Sequence, residues 1–376
     1  MTQGFPDSAD YSLVRDRFLN AAQAAGAALS AHSHPLPGPA GETLRTDVAW
    51  LGDPRARRVL FIISGTHGVE GYYGSTCQSN WLQQLKGRPL PGDVAVMMVH
   101  LINPWGAAWC RRVTEDNVDL NRNYVDFAAG PPRNEGYEGL HEIYTCRDLD
   151  GPERRRADAL LEKAVATHGW RGLHDITGAG QYAHADGLFY GGREPSWSRR
   201  TLQRIVEQHL GHAEAAIGFD LHTGAGEFGH PMLMAIAQAP YPALEPARSI
   251  FGPWLYTLFT GKGRSSDTGV AAGATGYTSQ ALLDALPRTA LLQLVIECGT
   301  YDPVAMHRSL RDDHWLHLHG PHADPADPVT RAIKRELFER FLPADGDWRE
   351  IAWRRSWHAF ERALAALPTL APPQPR

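Results

Sequence analysis

Four cysteines in 376 residues, none of them in a CxxC, are too few and too scattered for a disulfide framework or a zinc ribbon. Cys77, Cys110, Cys146 and Cys298 read instead as reduced thiols with structural roles. No apolar run approaches the roughly 20 residues that span a bilayer. The opening MTQGFPDSADYSLVRDRFLNAAQAAG lacks the basic and apolar regions of a secretory leader, so a cytoplasmic location is expected. Charge of one sign is also scarce: 37 Lys and Arg against 42 Asp and Glu give a net charge of -5 with no long single-sign run. Neither a nucleic acid nor a membrane surface is therefore expected as a partner. There is no repeat, no low-complexity stretch and no GxSxG. The one serine-rich candidate, RSSDTG, lacks the strand-to-helix setting that a serine nucleophile requires.

What the chain does have is an alternation of helical patterns with short apolar runs bounded by Gly, Pro, Asn or Asp. This predicts an α/β fold with a mixed, mostly parallel sheet between helices, rather than a bundle or a sandwich. YSLVRDRFLNAAQAAGAALS reads as an amphipathic helix, TDVAWLG as an edge-type strand, RRVLFIISG as a buried strand and GYYGSTCQSNWLQQLK as a helix. DVAVMMVHLI, AAIGFDLHTG and TALLQLVIECG are further strands, LPGPAGE at 36–42 is a loop, and residues 327–367 form two helices covering the sheet. No Pro-, Gly- or Ser-rich linker divides the chain, so residues 1–376 are expected to form a single domain, with covering helices at about 303–367. Four strands deliver polar residues at their C-terminal ends, the edge of an open α/β sheet where ligand sites gather.

Hydrolytic zinc commonly takes three His or carboxylate ligands and leaves a position open for water. SGTHGVEG, residues 64–71, sets His67 and Glu70 three positions apart where a strand ends. FDLHTGAG sets His222 at the end of another strand, with Asp220 two residues back on the same face. The plainer reading is a turn histidine and an exposed carboxylate at a helix N-terminus, where the helix dipole favours it. Glu297 follows a run of mostly apolar residues in LLQLVIECGTY, so a strand carries an acid to the same sheet edge. Burying that acid costs stability unless it is paired or active. Cys298 beside it reads as a packed thiol.

His67, Glu70, NPWG, the pair Arg111 and Arg112, VDLNRN, His222 and Glu297 follow one another in the order found in zinc carboxypeptidases of the M14 type. Between about residues 60 and 300 the chain resembles that superfamily. Two phrases, RRVTEDNVDLNRNY and GLFYGGREPSWS, are similar to its DUF2817 branch. The short interval from the arginine pair to DLNRN lies closer to the aspartoacylase and succinylglutamate desuccinylase side than to digestive carboxypeptidases. The resemblance implies a carboxypeptidase-like fold holding one Zn²⁺ through His67, Glu70 and His222, with Asp119 orienting the first ligand histidine. It further implies that Asn121 and Arg122 grip a substrate carboxylate and that Arg112, or less readily Arg111, polarises the scissile carbonyl. Glu297 matches the general base, and Tyr277 in GATGYTSQALLDAL matches a substrate-contacting tyrosine.

Two features remain outside this pattern. HWLHLHGPH carries His314, His317, His319 and His322 without an organising carboxylate, and reads as an exposed helix end and loop. The Gly- and aromatic-rich residues 180–198 read either as a wall of the specificity pocket or as simple loop packing. The expected function is zinc-dependent hydrolysis of an amide bond next to a free carboxylate, by carboxypeptidase action or by deacylation of N-acyl amino acids. The partner is then a small molecule or peptide bearing that carboxylate. The competing expectation is a zinc-binding regulatory or binding protein without turnover.

Overall fold

In a computed structural model of the chain, residues 3–322 and 324–371 are described. Eight strands form one sheet: β1 Ala28–Pro37, β2 Thr43–Leu51, β3 Arg58–Ser64, β4 Val94–His100, β5 Ala215–Gly224, β6 Pro231–Ala237, β7 Leu255–Phe259 and β8 Ala290–Gly299. Their order across the sheet is β1-β2-β4-β3-β5-β8-β6-β7. The central strands β4, β3, β5 and β8 run parallel to one another, whereas β1 with β2, β2 with β4, and β6 with β8 pair antiparallel. The mixed, mostly parallel sheet between helices is thus the expected fold class.

The period of two along each strand divides the core. Leu60 and Ile62 of β3 pack on one face with Ile217, Phe219 and Leu221 of β5, beneath the helices Tyr11–Ala25, Gly71–Leu85 and Gly346–Ala366. Val59, Phe61 and Ile63 pack on the other face with Leu202, Ile205 and Val206 of the helix Trp197–Leu210. Burial on both faces explains why these strands are continuous apolar runs, each large side chain contributing roughly 1.5–3 kcal/mol. The two C-terminal helices, Pro328–Phe341 and Gly346–Ala366, cover the first face through Leu337, Phe338, Phe341, Trp348 and Phe360.

Three expectations need correction. The first helix ends at Ala25, where Gly26 takes a left-handed φ of 80°, and the chain then enters β1. β2 is consequently not an edge strand, because β1 pairs with it on one side and β4 on the other. The helix Pro303–His319 also buries His314 completely, so that histidine is not part of an exposed end. Among the described residues, no helix is long and apolar enough to cross a membrane.

Candidate metal centre

Because β3, β4, β5 and β8 are parallel, the chain leaves all four at one edge of the sheet, and the polar residues meet there. After Ser64 the chain turns through Gly65, at a φ of 73°, and the amides of Gly68 and Val69 donate to the backbone carbonyls of Arg112 and Arg111 at 3.1 and 2.8 Å. A Cβ on Gly68 would lie 2.1 Å from the carbonyl carbon of Gly106, so only glycine permits this approach. Gly106 belongs to NPWG, whose Asn103 side chain caps the short helix Pro104–Ala108 by accepting from the Gly106 amide. The spacing of these motifs therefore reflects one backbone contact that fixes the His67 turn against the arginine pair.

His67, Glu70 and His222 converge, all three buried, with one ligand atom from each within 4.8 Å of the others. His67 Nδ1 and His222 Nδ1 stand 2.9 Å from Glu70 Oε1 and Oε2 respectively. The Thr223 amide donates to Glu70 Oε2 at 3.2 Å. Glu70 occupies the N-cap position of the helix Gly71–Leu85 but caps none of its amides, and it is only 1% exposed. That disposes of the reading as an exposed, dipole-favoured carboxylate.

The far nitrogen of each imidazole meets another acid. His67 Nε2 bonds Asp119 Oδ1 at 3.2 Å, and His222 Nε2 lies 3.1 Å from Asp220 Oδ2, although outside hydrogen-bonding angles. Asp220 in turn accepts from the Thr66 hydroxyl at 2.8 Å. Burial opposes ionisation of Glu70, yet His67 and His222 hold its carboxyl well below the usual range. Burial likewise opposes ionisation of Asp119, which Arg112 and His67 overcome. For His222, burial disfavours the charged form, but Asp220 and Glu70 raise its pKa well above the usual value. Glu70, Asp119 and Asp220 thus gather three carboxyl groups around the two imidazoles, with Arg112 paired to Glu70 and Asp119, a concentration of negative charge that a dication would offset. The donor set of two Nδ1 atoms and a carboxylate suits Zn²⁺.

Glu297 stands beside the triad. In the parallel pairing of β5 and β8 it is directly opposite His222, and its Oε1 accepts from the Ala225 amide at 3.0 Å. Burial, and then the Glu70 charge, push its carboxyl up to about 7. Arg112 donates to Glu70 at 2.9 Å and to Asp119 at 3.2 Å. Arg111 turns away into an ion pair with Asp313 at 3.0 Å, so of the two arginines Arg112 is the one at the triad.

The carboxylate-gripping set is arranged differently from expectation. Arg122 donates through Nε to Gly178 O at 2.8 Å and through Nη1 to Asn121 O at 2.9 Å, and its guanidinium lies 5.0 Å from the Tyr277 ring centroid. Asn121 Oδ1 accepts from the Thr278 amide at 3.1 Å. Tyr277 is buried with its hydroxyl donating to Ala271 O at 2.8 Å, so here it supports Arg122 rather than projecting into open space. Sequence reading assigned no part to Thr66, and it noticed Asp220 without giving it one. The two-residue interval from Asp220 to His222 was the available signal, because it puts both on one strand face. Within the Gly- and aromatic-rich segment 180–198, which was read without a role for any one residue, Phe189 adopts a φ of 53° and sets its ring 5.7 Å from the Arg112 guanidinium. Residues 181–190 thereby reach the site, and Tyr190 O accepts from the Asp119 amide at 2.8 Å.

The family model described as a protein of unknown function, DUF2817, matches residues 5–355. The chain belongs to the DUF2817 family. None of the curated proteins compared with it matches. Among solved structures, carboxypeptidase A from Helicoverpa armigera is similar at 11% identity, over 84% of this chain and 74% of that one, with a TM-score of 0.43. A provisionally assigned metallopeptidase from Shewanella amazonensis SB2B is similar at 13% identity, over 82% and 92%, with a TM-score of 0.38. A provisionally assigned succinylglutamate desuccinylase/aspartoacylase from Shewanella frigidimarina NCIMB 400 is similar at 18% identity, over 78% and 72%, with a TM-score of 0.35. For the DUF2817 chain itself, the site geometry must carry the chemistry.

Proposed function

We propose that this DUF2817 protein is a zinc-dependent hydrolase that cleaves an amide bond next to a free carboxylate, as a carboxypeptidase or an N-acyl amino acid deacylase. The observation that carries the reading is the convergence of His67 Nδ1, His222 Nδ1 and the Glu70 carboxylate beside Glu297. The buried Glu297 carboxyl opposite His222 favours turnover over a binding role, because it supplies a proton acceptor beside the metal ligands. A groove of about 610 Å³ among Phe5, Asn80, Trp353 and Trp357 includes no residue of the triad and offers none of its chemistry.

When bound, zinc would act as a Lewis acid toward the scissile carbonyl and make water more acidic. His67, Glu70 and His222 would hold it, while Asp119 keeps the His67 proton on Nε2 and so leaves Nδ1 free to ligate. Glu297 accepts the proton of the attacking water on its carboxylate and passes it to the leaving nitrogen, work suited to a buried carboxyl directly opposite His222 in the strand pairing. Arg112 donates to the oxyanion that develops on the carbonyl oxygen. Arg122, oriented by Asn121 and stacked on Tyr277, locates the substrate carboxylate. A small cavity of about 20 Å³ beside Arg112, Asp119 and Phe189, also lined by Arg111 and Asp313, likewise includes no residue of the triad.

The test is a panel of N-acyl amino acids and peptides with free C-termini, scored by amine release with and without a chelator. Release that the chelator stops and Zn²⁺ restores supports the reading, and preference within the panel separates deacylase from peptidase. Failure to release amine from any carboxylate-bearing substrate overturns it.

A further inference from the structure

A second cluster of ligand-type side chains lies outside the proposed catalytic machinery. His141, His184 and Asp186 each offer one ligand atom within 4.8 Å of the others. They come from two separated stretches, the one-turn helix His141–Tyr144 and the segment 181–190. The two imidazoles lie face to face with centroids 3.9 Å apart. His141 Nε2 is 3.5 Å from Asp186 Oδ1, and His184 Nε2 is 2.9 Å from Glu138 Oε2. His141 Nδ1 is buried and has no hydrogen-bond partner.

An imidazole binds a metal through the lone pair of a neutral ring nitrogen, and the buried His141 Nδ1 has no other partner. Two imidazoles and a carboxylate form a nitrogen and oxygen set suited to Zn²⁺ and related first-row dications rather than to Mg²⁺ or Ca²⁺. Glu138 can join as a fourth ligand or orient His184. Closing the donors around one cation requires the stacked rings to turn so that their nitrogen lone pairs converge, a movement of side chains at the partly exposed surface.

The segment that a cation would pin there is the one that touches the catalytic residues. Ala185 O and Gly187 O accept from Asn117 Nδ2 at 3.0 and 2.9 Å, and Asp186 O accepts from His314 Nε2 at 2.8 Å. Directly afterwards come Phe189, over Arg112, and Tyr190, bonded to the Asp119 amide. We propose that His141, His184 and Asp186 bind a second zinc-type dication, a clamp that ties segment 181–190 to the helix His141–Tyr144. The site is separate from His67, Glu70 and His222, and its existence does not depend on what those residues do.

The test uses a full-length His67→Ala/His222→Ala protein, stripped with a chelator and titrated with Zn²⁺ against a chromophoric competitor. One zinc per chain is expected. Adding His184→Gln should weaken it by at least about tenfold, because loss even of an outer partner of a metal ligand typically costs that much. Asp186→Asn, at a side chain 58% exposed to solvent, supplies a second variant should His184→Gln fold poorly. Added Zn²⁺ should also raise the melting temperature of the double variant but not of the triple variant. The proposal is overturned if the double variant binds no zinc, or binds it equally well after His184→Gln and Asp186→Asn.

Discussion

Replacing Glu297 with Gln should separate catalysis from stability in opposite directions. The amide oxygen of Gln can keep the bond from the Ala225 amide, which the carboxylate accepts at 3.0 Å, while the base is lost. A positioned general base contributes roughly a hundredfold to ten-thousandfold, and this one also protonates the leaving nitrogen, so the rate should fall toward the upper end. Stability should move the other way in metal-free protein. The folded-state pKa of Glu297 is raised from 4.5 to about 7, so the folded chain holds this proton more tightly than the unfolded chain does. Its favourable contribution is present below pH 4.5 and is lost as pH rises through 7. Two and a half units correspond to on the order of 3 kcal/mol at pH 8, against about 1 kcal/mol at pH 5, and Gln avoids that loss. Urea unfolding of chelator-treated wild type and variant at both pH values reads the difference, and amine release with Zn²⁺ reads the rate. A variant that cleaves at the wild-type rate, or that is less stable than wild type at pH 8, refutes this account of Glu297.

Other substitutions probe the rest of the centre. Arg122→Lys loses the guanidinium whose Nε and Nη1 hold Gly178 O and Asn121 O and whose remaining nitrogen would meet the substrate, so turnover of carboxylate substrates should fall further than that of neutral amide analogues; equal losses on both would remove Arg122 from carboxylate recognition. Asp313 joins Arg111 and Lys334; burial opposes its charge but the two cations hold its pKa at about 2. Its contribution, on the order of 2 kcal/mol, should be present above pH 4 and decline as pH falls toward 2. Asp313→Asn should cost about 3–5 kcal/mol at pH 7 by leaving buried cations unpaired, and urea unfolding with unchanged stability would contradict this. Gly68→Ala should displace the His67 turn from Gly106 and reduce zinc content, a result that metal analysis of the folded variant can check.

Much of this architecture was legible because its signals are local. β3, β5 and β8 are buried on both faces, so each is an unbroken apolar run, and the same parallel order forces their polar ends to one edge. β1 was hidden because nearly all of ALSAHSHPLP faces solvent and its alanines continue a helical pattern. β6 and β7 were not recognised either. They are short strands toward the far edge, and β6 is built partly from the helix formers Met and Ala. His67, Glu70 and His222 were picked out by the ordered motifs of the resemblance, since their spacing alone also fits an ordinary turn and helix start, whereas the contacts of Arg122 and Tyr277 with backbone carbonyls 56 and 6 residues away carry no side-chain signature. His314 was misread because a helix can bury one histidine of a run and leave its neighbours outside.

His67, Glu70 and His222 are proposed to hold a catalytic zinc. Metal analysis of wild-type and His222→Ala proteins, purified alike and each folded by circular dichroism, decides whether they do. One zinc fewer per chain is expected in the variant, together with loss of amine release. A His222→Ala protein that retains its full zinc complement would contradict the proposal.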